Sequence, residues 1–181
     1  VLINFNSFTI ILALGSMPLA FTYPLMKRYT YWPQLFLGIT FNYGLILGWT
    51  AINGQIDLVP ILFYLGAIFW TLGYDTIYGY QDIKDDEIIG LKSTSIKFKG
   101  NAKKFLIICY SCLTILFLLG GYFMKFDIKY FILSIFPVMH LFFYQIKNFN
   151  LNNPLSCLSI FKSNNLFGFI VFITIILTKI L

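Results

Sequence analysis

The chain has 181 residues, of which 59% are apolar and 11% charged, against about 45–50% and about 25% in a soluble domain. This balance excludes an ordinary water-soluble enzyme and makes the bilayer the solvent. The formal net charge of +6 is explained by where the basic residues fall relative to the membrane, so no nucleic-acid partner is expected.

A helix needs roughly 17 to 25 residues to cross the ~30 Å hydrocarbon layer. Stretches free of Lys, Arg, Asp and Glu that reach or approach this length lie at residues 5–26, 32–51, 58–74, 105–124, 130–146 and 163–178. Lipid offers no partners to backbone polar groups, which leaves helices or closed barrels. Barrel strands alternate in polarity, and no such alternation is present. The expected fold class is all-α: a polytopic membrane bundle of six transmembrane helices in up-and-down order, forming a single domain over residues 1–181. The first stretch is too long for the apolar core of a signal peptide and is followed, not preceded, by Lys27 and Arg28, so it is expected to stay in the mature chain.

Of thirteen Lys and Arg residues, ten follow the first, third or fifth stretch, from Lys27 and Arg28 to Lys162. Only Lys125, Lys129 and Lys179 lie on the other side. Basic loops mark the cytoplasmic side, or the matrix side in a mitochondrion. Residues 81–104 are therefore expected there and the C-terminus opposite.

Within the spans, Gly44 and Gly48 have the G-x-x-x-G spacing that allows close helix packing. Cys109 and Cys112 have C-x-x-C spacing but stand in an apolar span with no second pair, and Cys157 is alone, so packing is expected and no disulfide framework is implied. The single histidine, His140, is expected to pack with a hydrogen bond. Twenty-one Phe and twelve Tyr supply lipid-facing and core surface. Aromatic faces lining a cavity would also suit an apolar ligand and a centre of positive charge.

The acidic residues concentrate in YDTIYGYQDIKDDEIIGLKSTSIKF, residues 74–98: Asp75, Asp82, Asp85, Asp86 and Glu87, with only Asp57 and Asp127 elsewhere. If the third helix continues beyond Tyr74, Asp82 and Asp86 fall within ~20° of Asp75 and Asp85 points away. Three carboxylates on one face repel unless a cation joins them. A set of oxygen ligands without His or Cys suits Mg²⁺, which completes its shell with water and phosphate oxygens. The alternative is a solvated helix end balanced by Lys84 and Lys92, with Gly79 interrupting the helix. Spacing alone leaves both readings open.

This segment resembles the second aspartate-rich motif of the UbiA superfamily of intramembrane prenyltransferases, whose D-x-x-x-D core is here Asp82 and Asp86. The surrounding Y-D-T-x-Y, D-D and G-x-K-S-T match as well. YPLMKRYTYWPQLFLG (23–38) and CLSIFKSNNLFGFIVF (157–172) are similar to stretches of the 4-hydroxybenzoate polyprenyltransferase branch, so the likeness runs through the whole chain. Gly79 stands where Ala is common, and Ser95 where Ala usually follows S-T. The larger departure is the absence of the first motif, N-x-x-x-D-x-x-x-D: Asn53 and Asp57 give its first interval, but Ile61 follows. The family has about nine helices, so the resemblance implies that these are the last six. The remaining helices would lie upstream of Val1 or on another chain that supplies an N-terminal half.

The resemblance implies Mg²⁺-dependent transfer of a polyprenyl group from polyprenyl diphosphate to the ring carbon ortho to the hydroxyl of 4-hydroxybenzoate, a step of ubiquinone biosynthesis. It would occur in a bacterial or mitochondrial inner membrane, amid membrane lipid. Asp82 and Asp86 are then the metal ligands and Asp75 a third carboxylate. Lys27 and Arg28 would bind diphosphate or the benzoate carboxylate, Arg28 suiting the carboxylate through bidentate pairing, or would only set orientation. Lys92 contacts diphosphate or is an ordinary loop cation; Tyr78 bonds a carboxylate or packs; Asn164 and Asn165 cap the last helix or face the cavity. Three other readings stand beside this one: a different aromatic acceptor, an inactive remnant, and a transporter. A transporter would place acids in mid-span, whereas Asp82 and Asp86 sit at a membrane boundary.

Overall fold

A computed structural model describes residues 4–180. Among them there are helices and no strands, and six are long and apolar enough to cross a membrane: Ser7–Tyr29, Pro33–Asn53, Leu58–Gly79, Lys99–Phe123, Ile128–Ile146 and Pro154–Ile180. We refer to these as spans one to six. The all-α bundle expected from the sequence is the fold observed.

The span ends differ from expectation for a common reason. Windows free of charge stop at the first Lys or Arg, whereas a helix continues past a long basic side chain whose head reaches the interface. Span six thus starts at Pro154, with Lys162 inside it, and not at 163. Its first turn is built by Asn153, whose side chain accepts from Ser156 N at 3.1 Å, and by Pro154, which has no N–H to lose there. Span three runs five residues beyond Tyr74, to Gly79.

Several spans are broken internally at polar or proline positions. Span one contains Pro18, and Pro24 lies in a 3₁₀ turn, Tyr23–Leu25. Span two breaks at Asn42, whose Nδ2 donates to Gly38 O at 2.8 Å, Ala67 O at 3.2 Å and Thr71 Oγ1 at 2.8 Å. The break therefore ties span two to span three. In span five, residues His140–Ile146 form a π-helix, a form that recurs at functional positions.

Spans three and four make the centre of the bundle, with 39% of the most apolar window of each buried, against 6% for span one. Their close approach requires glycine. A Cβ on Gly73 would lie 2.5 Å from the Tyr110 ring, and one on Gly120 would lie 2.7 Å from the Phe63 ring. Gly44 and Gly48 behave otherwise, since a Cβ on either would meet nothing within 4 Å. The expected close packing at G-x-x-x-G is thus not made among the described residues. Both glycines instead line a cavity.

Candidate active site at the acidic end of the bundle

The end of span three carries Tyr74, Asp75 and Tyr78 and is clamped by the K-S-T-S segment that follows the acidic loop. Thr76 Oγ1 lies 2.6 Å from Thr94 Oγ1, and Ser95 Oγ donates to Thr76 O at 2.8 Å. Thr94 N donates to Gln34 Oε1 at 3.0 Å, which brings in span two. These groups are buried, so their mutual hydrogen bonds avoid the cost of unpaired polar atoms. A Cβ on Gly79 would stand 2.4 Å from Ser95 Oγ. Gly79 and Ser95 therefore meet in space, the Ser95 hydroxyl occupying the room that a methyl at 79 would need.

The helix does not continue to Asp82. It ends at Gly79, and a new short helix, Ile83–Ile89, starts after Asp82. Asp75 therefore does not share a continuous helical face with Asp82 and Asp86, and of the two readings left open by the spacing the interruption at Gly79 is the one observed. The turn is the physical reason: Tyr80 N and Gln81 N bond to Ile77 O and Tyr78 O over three residues, closing the helix.

Asp82 and Asp86 remain together, one turn apart, with Asp86 N donating to Asp82 O at 2.9 Å. Asp86 is half-buried, whereas Asp82 and Asp85 are exposed. Burial raises the pKa of the Asp86 carboxyl above its ordinary value; Lys27 opposes the rise, and the Asp82 and Asp85 carboxylates add to it. Gly90, at φ +77°, ends this helix, and Leu91 N returns to Asp86 O at 2.9 Å. Glu87 is engaged elsewhere, with Lys99 at 2.8 Å.

The basic residues lie across from this helix. Lys92 N donates to Lys27 O at 2.8 Å and Lys92 Nζ to Tyr29 O at 3.2 Å, with the Tyr31 ring 5.7 Å from the ammonium. Lys92 thereby pins the loop that carries Lys27 and Arg28 against the acidic loop. Arg28 is exposed. Tyr78 packs on Phe161, ring centroids 4.6 Å apart, and no hydrogen bond to a carboxylate is found among the described residues.

No group of three or more His, Cys, Asp or Glu capable of holding a metal exists among the described residues. The fit to Mg²⁺ rests on a pair. Asp82 and Asp86 carry like charge one turn apart; burial is the main reason that the Asp86 pKa is raised, the Asp82 carboxylate adds to the rise, and a cation would relieve that repulsion. One or two carboxylates are what Mg²⁺ takes from protein when phosphate and water complete its shell.

Further along span three, away from the acids, lies a cavity of about 650 Å³ lined by Gly44, Gly48, Phe63, Ala67, Trp70, Phe117, Phe167 and other, almost wholly apolar, residues. Between cavity and acidic end stands a layer of neutral polar side chains, of which sequence reasoning singled out Asn164 alone, as a helix cap or cavity residue. Tyr110 Oη donates to Gln145 Oε1, Gln145 Nε2 donates to Asn164 Oδ1 at 3.0 Å, and Trp70 Nε1 donates to the same oxygen at 2.8 Å. Asn164 is thus the hub of an interhelical cluster and its own Nδ2 bonds Phe161 O at 3.0 Å. The signal available was Gln145, a lone amide inside an apolar span. His140 is buried beside it, Nδ1 3.5 Å from Gln145 Nε2, with its ring stacked on Tyr144 and Nε2 unpartnered. The three cysteines are free, Cys109 and Cys157 buried.

The fold and site are those of an intramembrane helical bundle with an aspartate pair and basic residues at one boundary and an apolar cavity behind them. The chain belongs to the UbiA prenyltransferase family, whose model matches residues 1–176. It is 43% identical over 182 residues to the mitochondrial 4-hydroxybenzoate polyprenyltransferase of Bos taurus, covering 98% of this chain and 48% of that protein. The Homo sapiens protein of the same name is 44% identical with the same coverage. The 4-hydroxybenzoate geranyltransferase 2 of Lithospermum erythrorhizon is 40% identical, covering 99% of this chain and 59% of that one. The chain thus spans about half the length of the curated relatives it matches. Among solved structures, the apo form of a UbiA homolog from Aeropyrum pernix K1 superposes with a TM-score of 0.66 at 20% identity, covering 88% of this chain and 65% of that one, a likeness of fold.

Proposed function

We propose that the protein of which this chain is a part transfers a polyprenyl group from polyprenyl diphosphate to 4-hydroxybenzoate, at the ring carbon ortho to the hydroxyl. The product is a precursor of ubiquinone, made at the matrix or cytoplasmic face of an inner membrane. The observation that carries this reading is the Asp82–Asp86 pair on one helical turn, with Lys27 close enough to oppose the rise in the Asp86 pKa at the same end of the bundle. The relatives' names support the choice of acceptor.

In this reading Asp82 and Asp86 hold Mg²⁺, which when bound neutralises charge developing on the diphosphate leaving group, an assistance worth several kcal/mol. The short helix Ile83–Ile89 fixes both carboxylates in one orientation, and the Gly90 cap keeps its end from fraying. Lys27 and Arg28 supply positive charge for the diphosphate or the benzoate carboxylate, and Lys92 holds their loop in place. Asp75 stands deeper, at the end of span three, and supports the site. The Tyr74, Tyr78 and Phe161 rings offer π faces beside the allylic centre, where positive charge develops as the diphosphate leaves. Electrons of the ring carbon form the new C–C bond, and loss of that carbon's proton restores aromaticity. The rest of the protein is expected, by resemblance, to contribute the first aspartate-rich motif.

The test is transfer by the full-length protein in vesicles, given Mg²⁺, an isoprenyl diphosphate and 4-hydroxybenzoate, with the product identified by mass and ring-substitution pattern. Asp82→Ala or Asp86→Ala is expected to lower turnover about 10²–10³-fold, the size of loss when a group stabilising transition-state charge is removed, while insertion stays normal. Near wild-type turnover in either variant would sink the assignment.

A further inference from the structure

Lys103, Lys104 and Lys147 have no part in the chemistry proposed above, yet the fold brings them to one place. The loop between spans five and six is anchored by the buried Phe149, whose ring tilts on Tyr80 at 5.5 Å, just past the end of span three. The anchor holds the start of this loop beside the start of span four. Between the two is an open groove of about 730 Å³, lined by the three lysines, by Asn148, Phe149 and Asn150, and by no acidic residue.

The charge of this groove is unbalanced. All three lysines are exposed, and among the described residues none has an ion-pair partner. Lys99, by contrast, is paired with Glu87 at 2.8 Å. Lys103 and Lys104 also stand in the first turn of a 22-residue helix, Ala102–Phe123, which has no acid there and whose N-cap, Asn101, makes no side-chain capping bond. Cations at the positive end of a helix dipole are unfavourable, so an anion in the groove relieves both the lysines and the helix end. Farther along the same spans the exposed surface is apolar. Ile107 and Ile108 lie four residues from Lys103 and Lys104, and Phe143 four residues from Lys147, all exposed. The surface thus asks for negative charge at the boundary and hydrocarbon beside the spans; a soluble anion meets only the first demand.

We propose that this groove binds an anionic phospholipid, with its phosphate among Lys103, Lys104 and Lys147 and its acyl chains along the outer faces of spans four and five. Basic pockets between membrane helices on the cytoplasmic or matrix side recognise such head groups, and that is the side on which the distribution of Lys and Arg puts this loop. The bound head group bridges the start of span four and the end of span five. The proposal stands independently of which reaction the acidic end performs.

The test uses the full-length protein in neutral detergent, titrated with cardiolipin or phosphatidylcholine, with binding read by native mass spectrometry. The wild type is expected to bind cardiolipin at least about tenfold more tightly, since each basic residue at an anionic lipid head group adds about fivefold. Lys103→Gln/Lys104→Gln/Lys147→Gln should reduce that preference to about twofold or less. Lys125→Gln/Lys179→Gln, which removes charge at the opposite boundary, should leave it unchanged. Amine labelling of the wild type reads the same site without a variant: cardiolipin should protect Lys103, Lys104 and Lys147 and leave Lys84 as it was. Equal affinity of the wild type for the two lipids, a preference that survives in the triple variant, or the same labelling of the three lysines with and without cardiolipin would overturn the site. Protection by inorganic phosphate as strong as that by cardiolipin at the same concentration would show that the groove takes a free anion, and would overturn it equally.

Discussion

The acidic end and the neutral polar layer lie within about two helical turns of each other and are built on opposite principles. At the acidic end, Asp82, Asp85 and Asp86 crowd like charges onto one short helix, and Asp86 has a pKa raised first by its burial and then by the neighbouring carboxylates. In the layer, Trp70, Tyr110, Gln145 and Asn164 carry no charge and satisfy one another. The first arrangement is incomplete without a cation and an anionic ligand. The second is paired among these four side chains and serves to hold a shape, although the neighbouring His140 Nε2 has no partner among the described residues. Charge that is left unbalanced at a membrane boundary marks where ligand arrives; neutral polarity that is fully paired in the span marks what must not move.

Two perturbations sharpen this contrast. The larger effect is expected at Gly79. Gly79→Ala drives a Cβ against Ser95 Oγ and displaces its bond to Thr76 O, an overpacking cost of about 1–3 kcal/mol. Ser95→Ala in the same chain removes the obstacle, and the double variant should recover wild-type stability, since Ala also favours helix over Gly by about 1 kcal/mol. Thermal unfolding of the single and double variants gives the coupling; additive effects would show that the clamp is not where the acidic loop is fastened. The smaller effect is expected at Gln145. Gln145→Leu strips an acceptor from Tyr110 and a donor from Asn164, worth about 1 kcal/mol for hydrogen bonds between membrane helices. A loss well above this would mean that the layer holds the bundle together and does more than fix the indole.

The two regions also differ in how far the sequence reveals them. Asp82 and Asp86 are conspicuous because acids are scarce in this chain, and their spacing of four puts them on one turn whether or not the helix before them continues. That it stops at Gly79 was one of two open readings, decided by the turn through Tyr80 and Gln81, beside which Ser95, thirteen residues after Asp82, clamps the helix end. The six spans follow from stretches without charge, but their ends do not: Lys162 is inside a helix because its long side chain tolerates the position. Gln145 and Asn164 are ordinary residues in isolation, nineteen apart, and they meet only because span five takes a π-helical turn and span six packs behind Trp70. Nothing local in the sequence encodes that meeting. Gly44 and Gly48 show the reverse error, since a spacing associated with helix contact here leaves space for a cavity.

The most direct test of the central claim, that the acidic end binds a diphosphate through Mg²⁺, is the thermal stabilisation of the full-length protein by geranylgeranyl diphosphate. It is measured with and without Mg²⁺, in the wild type and in Asp86→Ala. The account predicts stabilisation of the wild type that requires Mg²⁺ and is absent from Asp86→Ala, with both proteins equally stable when no ligand is added. Stabilisation of the same size without Mg²⁺, or its survival in Asp86→Ala, would contradict it.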